Sequence, residues 1–269
     1  MCELLAMSSR NATTLTFSLE DLAAHSRAPG NTRDGWGVAF FEGRDAALFR
    51  EPQAAAESAL IRLLESGGPS TKLALSHIRH ATHGDIRLAN TQPFLRELAG
   101  HAHAFAHNGD LAMIEQDVRV SSARYRPIGQ TDSEYAFCAL LERMQHVWCS
   151  GTAVPSLADR TAVVRSFAQD LRKLGPANFI YADGDALFAY GDRRIQSGSG
   201  MIAPPGLFWH AATSDDPSRS IDVDGISVAP GFEAMMLIAS VPLRGRQWRA
   251  FAQGEVVVVR GGTIISVAE

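Results

Sequence analysis

Met1-Cys2-Glu3-Leu4-Leu5-Ala6-Met7 opens the chain, and its second residue decides how the rest is read. Cytoplasmic processing removes Met1 readily when the next residue is small, so the mature chain is expected to begin at Cys2. Such a residue carries a thiol and a free α-amine on one carbon skeleton. The amine has a pKa of about 7.7–8.0, so a useful fraction is neutral near pH 7 and can act as a base. Nucleophile and base then come from one residue, without a separate histidine. The alternative is that Cys2 is an accident of sequence. The segment is not read as a secretory leader, because it lacks a basic start and a sustained apolar stretch.

Outward from Cys2, three further polar clusters carry chemistry. Ser76-His77-Ile78-Arg79-His80-Ala81-Thr82-His83-Gly84 lies where a strand over 72–78 runs into a loop, a frequent place for functional groups. Arg79 can fork onto a carboxylate, and Thr82 and His83 add polar groups beside it. Solvated histidines at a strand end are the plain alternative. Metal binding is another, since His77, His80 and His83 recur every three residues. On a strand, however, His77 and His80 face opposite ways, and no acid or thiol is close in sequence; no metal is expected. His107-Asn108-Gly109 closes a strand near 103–106. Asn-Gly there reads first as a tight turn. The sharper reading is an oxyanion hole, with the Asn108 amide and the Gly109 N–H converging on one oxygen, glycine permitting close approach and unusual φ. Thr131-Asp132-Ser133-Glu134 fits a capping box, and an Asp in a first helical turn can also hold an ammonium.

The frame around these clusters is ordinary. The chain has 269 residues, 46% hydrophobic and 20% charged, with net charge −4. That is enough to bury a large core. No dense Lys/Arg run appears, so nucleic acid and anionic membrane are not expected partners. The longest apolar runs, such as Met235 to Val241, are far below the ~20 residues of a spanning helix. A cytoplasmic protein is expected. Three cysteines, Cys2, Cys138 and Cys149, without CxxC spacing, do not form a disulfide framework. Cys138 and Cys149 share one helical pattern and are read as inert.

Helices are predicted over 53–65, with Ala56, Leu60, Leu63 and Leu64 on one face, over 131–148, and over 156–174 up to Gly175-Pro176. Strands are predicted at 38–41, 72–78 and 103–106, then at 178–182, 186–190, 207–211, 235–240, 255–260 and 263–267. Strands, a helix pair and strands again suit α+β layering with antiparallel sheets packed between helices. No internal repeat or linker is seen, so residues 1–269 are expected to form one domain.

The order of the four clusters resembles the class II glutamine amidotransferases, the N-terminal nucleophile group that includes the glutaminase domain of glucosamine-6-phosphate synthase. Met1-Cys2-Glu3-Leu4-Leu5, Asp34-Gly35-Trp36-Gly37, Asn90-Thr91-Gln92-Pro93-Phe94 and Pro242-Leu243 look like the stand-alone YafJ-like subgroup. The resemblance implies a four-layer αββα sandwich of the N-terminal nucleophile hydrolase type. It implies Cys2 as nucleophile with its own α-amine as base, and an oxyanion hole of Asn108 and Gly109. Arg79 would hold the α-carboxylate of glutamine, with Thr82 and His83 completing that side, and Asp132 the α-ammonium. It implies hydrolysis of a glutamine or γ-glutamyl amide through a Cys2 thioester, with no cofactor. Residues after about 155 are too few for a typical acceptor-synthase domain, and no GxxxxGK[ST] loop is present. A separate acceptor or synthase subunit, or plain hydrolysis of a γ-glutamyl amide, follows. A module that binds glutamine or a γ-glutamyl group, turns over little and serves regulation is the alternative.

Overall fold

The computed structural model describes residues 2–17, 34–81, 84–117, 124–149, 153–196, 198–216, 218–223, 226–243 and 246–268. In chain order its longer strands are β1 (Glu3–Phe17), β2 (Trp36–Glu42), β3 (Asp45–Glu51), β4 (Ser70–Ile78), β5 (Phe94–Leu98), β6 (His101–Gly109), β7 (Ala177–Ala182) and β8 (Leu187–Gly191). They continue with β9 (Phe208–Thr213), β10 (Ala234–Ala239), β11 (Glu255–Arg260) and β12 (Thr263–Ala268). The helices are α1 (Ala59–Gly67), α2 (Asp132–Trp148) and α3 (Leu157–Leu174).

The longer strands form two antiparallel sheets, and residues 194–195 and 202–203 make a separate two-stranded one. The first runs β9-β10-β1-β4-β2-β3, with short strands at 221–223, 226–228 and 249–250 at its margins. The second runs β12-β11-β8-β7-β6-β5. Strand alternation assigns each residue to a layer. On β6 the even positions Ala102, Ala104 and Ala106 face Leu4 and Ala6 of β1 and Leu73 and Leu75 of β4, forming a core between the sheets. The odd position Phe105 faces outward onto Phe137, Leu140 and Leu141 of α2 and Phe167 of α3. On the far side Leu5, Met7 and Val38 pack with Ile61 and Leu64 of α1. The layers are therefore αββα.

Two sequence expectations need correction. The helix expected at 53–65 starts later: Ala55–Glu57 is a 3₁₀ turn, and Ser58 caps α1 by accepting from Ile61 N at 3.0 Å. Its buried face uses Ile61 and Leu64, whereas Leu63 is 65% exposed. The Thr131–Glu134 capping box is half made. Thr131 accepts from Glu134 N at 3.3 Å, but the Glu134 carboxylate turns away, to Arg96 and to Gly129 N. The strands β1, β3 and β5 were not predicted.

The helical layer is tied to the second sheet by a buried ion pair. Arg160 of α3 donates through Nη1 to Asp183 and through Nη2 to Asp185, each at 2.7 Å, in the turn between β7 and β8. Asp183 is fully buried. Removing one partner of such a pair leaves an uncompensated charge, a loss of about 3–5 kcal/mol. Arg160→Met is expected to lose that order of stability in urea denaturation; a loss below about 1 kcal/mol would show that Asp183 is neutral in the fold or reached by water.

Candidate active site

Period-two alternation brings the nucleophile candidate and the oxyanion candidate together. Cys2 precedes β1 and continues the even series Leu4 and Ala6, which faces the layer between the sheets. Asn108 continues the series Ala102, Ala104 and Ala106 on β6, facing the same layer from the other sheet. At the end of that layer Asn108 Nδ2 donates to the Cys2 carbonyl at 2.5 Å. Asn108-Gly109 is therefore not a turn: both residues lie in β6 and pair with Asn178 and Ala177 of β7. Gly109 also lacks the positive φ anticipated for it. Its requirement is close approach, since a Cβ there would stand 2.0 Å from the Pro176 carbonyl oxygen.

The Cys2 thiol rests on backbone. Sγ accepts from His80 N at 3.2 Å and faces the His80 carbonyl at 3.3 Å. Burial pushes the thiol up, and the His80 N–H acts in the opposite direction. The turn that presents His80 is held by Asp34. Its Oδ2 accepts from Ala81 N at 2.7 Å, its N–H donates to the Arg79 carbonyl at 3.1 Å, and Arg79 N donates to Gly35 O at 2.8 Å.

Arg79 follows the last residue of β4 and is 3% exposed. Nη1 donates to Asp85 O at 3.2 Å and Nη2 to Gly84 O at 3.1 Å. Each bond uses one of the five N–H donors of a guanidinium. Burial lowers its pKa, while Cys2, Asp34 and Asp85 work against that. Asp132 opens α2. Its Oδ2 accepts from Leu111 N at 2.9 Å and its Oδ1 from Ser133 N at 2.8 Å. A cavity of about 260 Å³ lies beside it, lined by Asp110, Leu111, Met113, Ile114 and Gln130 among others. Thr82 and His83 lie outside the described residues.

Two histidines flank this centre. His77 of β4 is fully buried with neither ring nitrogen hydrogen-bonded, and burial, with His107 and Arg79 nearby, drives its pKa to about 3. His107 turns to the helical layer, with Nδ1 2.9 Å from Ser133 Oγ, and burial lowers its pKa too. Both rings are neutral and poor proton acceptors near pH 7. Among the described residues no group of three His, Cys, Asp or Glu side chains could hold a metal ion. Cys138 is buried within α2, with its pKa pushed up to about 11 by burial, and Cys149 is exposed.

The comparison with known proteins bears on these residues as a set. The model for class II glutamine amidotransferases matches residues 1–269. This chain belongs to that family. It is 32% identical to YafJ of Escherichia coli strain K12 over 267 residues, covering 96% of this chain and 100% of that one. The crystal structure of a predicted glutamine amidotransferase from Pseudomonas aeruginosa superimposes with a TM-score of 0.68 at 29% identity, covering 98% of this chain and all of that one. Glutamine phosphoribosylpyrophosphate amidotransferase of Bacillus subtilis shares the fold at 14% identity, with a TM-score of 0.56 over 99% of this chain and 49% of that one. The sandwich is that of the N-terminal nucleophile amidotransferases. No described helix is long and apolar enough to cross a membrane.

Within Asn90-Thr91-Gln92-Pro93, the sequence held residues whose work it did not disclose. Gln92 lies opposite His107, in line with the Phe94–Phe105 pair of β5 and β6. Its Oε1 accepts from His107 N at 2.7 Å and its Nε2 donates to His107 O at 3.2 Å, so a side-chain amide replaces the missing strand backbone. Asn90 is fully buried. It donates to Asp85 O at 2.9 Å and accepts from Gln130 N at 2.8 Å, joining the Arg79 loop to the approach to Asp132. A glycine is needed at 37, where a Cβ would meet the Gln92 carbonyl oxygen at 2.3 Å. Gln92→Met leaves two buried backbone groups of His107 unpaired, at about 1–3 kcal/mol each. It is expected to lower both stability in urea and kcat per folded molecule, since Asn108 adjoins His107. Unchanged kcat in a destabilised but folded variant would limit Gln92 to a structural role.

Proposed function

We propose that this chain is an amidohydrolase that cleaves the side-chain amide of glutamine or a γ-glutamyl amide through a thioester on Cys2, with residues 1–269 acting as one domain after loss of Met1. The observation that carries this reading is the meeting of Asn108 and Cys2 at the end of the inter-sheet layer.

The glutamyl end of the substrate is a zwitterion. Arg79 takes its α-carboxylate, Asp132 its α-ammonium, and Thr82 and His83 complete the carboxylate side. A carboxylate has about four acceptor positions; the backbone N–H groups on Asp132 do not fill them. The γ-carbonyl is then presented to Sγ. The thiol, raised by burial, needs a base. The two buried histidines are poor acceptors, and His80 meets the sulfur through its backbone rather than its ring. The α-amine of Cys2 is left as the base. It takes the thiol proton as sulfur adds to the carbonyl carbon, and the oxyanion is held by Asn108 Nδ2 and Gly109 N–H. The C–N bond breaks, the ammonium returns the proton to the departing amine, and a glutamyl thioester remains. Water adds to that thioester with the same amine as base, releasing glutamate and the thiol. Ammonia leaves as free product or passes to a separate acceptor subunit.

Cys2→Ala is expected to abolish glutamate release without lowering the melting temperature; retained activity would remove Cys2 as nucleophile. Asn108→Ala removes a donor that works on transition-state charge, and such losses cost about 10²–10³ in kcat. The expected change is of that order with KM little altered, whereas Asp132→Asn should act chiefly on KM. The base assignment predicts a pH profile. Protonation disables the amine, so kcat/KM falls about tenfold per unit below an apparent pKa near 7.7–8.0. A flat profile from pH 6 to 8 would rule the α-amine out.

A further inference from the structure

Cys2 has a second arginine on its other flank. β1 lies between β4 and β10 in the first sheet. Arg79 extends the β4 side. On the β10 side Ser240 exchanges bonds with Leu4: Ser240 N donates to Leu4 O and Leu4 N donates to Ser240 Oγ, both at 3.0 Å. The Arg194 guanidinium reaches this point and donates through Nη1 to the Ser240 carbonyl. Arg194 thus contacts the β10 side of β1 at Ser240, opposite Leu4 and two residues along from Cys2, whereas Arg79 lies on the β4 side. A second link comes from the other sheet. Asn178 is fully buried, donates through Nδ2 to Asn108 O and to Arg193 O at 3.0 Å each, and accepts from Asp192 N at 2.8 Å. Asn178 of β7 therefore ties the Asn108 backbone to the backbone immediately before Arg194.

We propose that Arg194 binds a carboxylate on the leaving amine, so that the preferred substrates are γ-glutamyl amides of α-amino acids rather than glutamine. The inference rests on the thioester reading above. Glutamine sheds ammonia, which offers no anion to a guanidinium, and its own carboxylate belongs to Arg79 at the opposite flank. A γ-glutamyl amino acid carries a second carboxylate one carbon beyond the scissile nitrogen, on the departing side. Burial is the main influence on Arg194, lowering its pKa, and the charges that oppose it come from Glu3 and Cys2. The bidentate match of guanidinium to carboxylate gives the site direction as well as charge. The chemistry is unchanged: sulfur adds to the γ-carbonyl, the C–N bond breaks, and the amino acid leaves with the proton held by the α-ammonium.

γ-Glutamylalanine and γ-glutamylisopropylamide test this directly, because a methyl group replaces the carboxylate with the rest of the leaving group unchanged. With the full processed chain, kcat/KM from glutamate release is expected to favour γ-glutamylalanine at least about tenfold, the order of one charge-assisted contact. Arg194→Gln should reduce that ratio toward one by raising KM for γ-glutamylalanine, and Arg194→Lys should restore part of it. A wild-type ratio near one overturns the inference, whether or not the variant folds. So does a ratio that survives Arg194→Gln. Glutamate release from glutamine but from neither conjugate overturns the inference and leaves the thioester reading standing. Release from none of the three overturns both.

Discussion

Two sheets face each other across an apolar layer, and the layer ends where Asn108 of one sheet donates to the carbonyl of Cys2 in the other. The site depends on this junction. Alanines at 102, 104 and 106 line this layer, and the same alternation aims Asn108 into it. A residue added to or lost from β6 between Ala106 and Asn108 would turn the amide toward α2. The proposed oxyanion donor is thus placed by the pleat of a central strand, with neighbours on both sides.

Around the junction, side-chain amides take over where regular backbone pairing stops. Gln92 pairs with His107 as a strand would. Asn90 binds the Arg79 loop to residue 130, and Asn178 binds Asn108 to residues 192 and 193. Each is buried and uses both ends of its amide. An amide offers donor and acceptor without charge, so it can close a buried gap between loops at less desolvation cost than an ionised group. In the proposed mechanism the charged groups are Arg79 and Asp132 at the glutamyl end and Arg194 on the other side of Cys2. His77 and His107 are kept neutral by burial.

Much of this was legible in the sequence where local pattern and burial agree. α2 was readable because Phe137, Leu140, Leu141 and Met144 are all buried at helical spacing, and β11 because Glu255–Arg260 is an apolar run between turns. β1 was not. It is a central strand that buries Ser8, Ser9 and Thr13, and its partners β4 and β10 lie about 70 and over 200 residues away in the chain. Local periodicity cannot report such pairing. Asn108-Gly109 looked like a turn because its dipeptide favours one, and tertiary pairing with β7 overrode that preference. The candidate site residues came from the order of four motifs. Asp34, Asn90 and Gln92 were visible only as parts of motifs, and Asn178 and Arg194 gave no signal, since an isolated Asn or Arg looks the same whether it supports a site or a surface.

The central claim is that Cys2, freed of Met1, is the attacking group. Peptide mass spectrometry after incubation with a glutamine-mimicking diazo-ketone tests it most directly. The account predicts that the N-terminal peptide begins at Cys2, carries one adduct on that residue, and is protected by excess glutamine or γ-glutamyl amide. Labelling at Cys138 or Cys149 with Cys2 unmodified, or full activity in a chain that retains Met1, would contradict it.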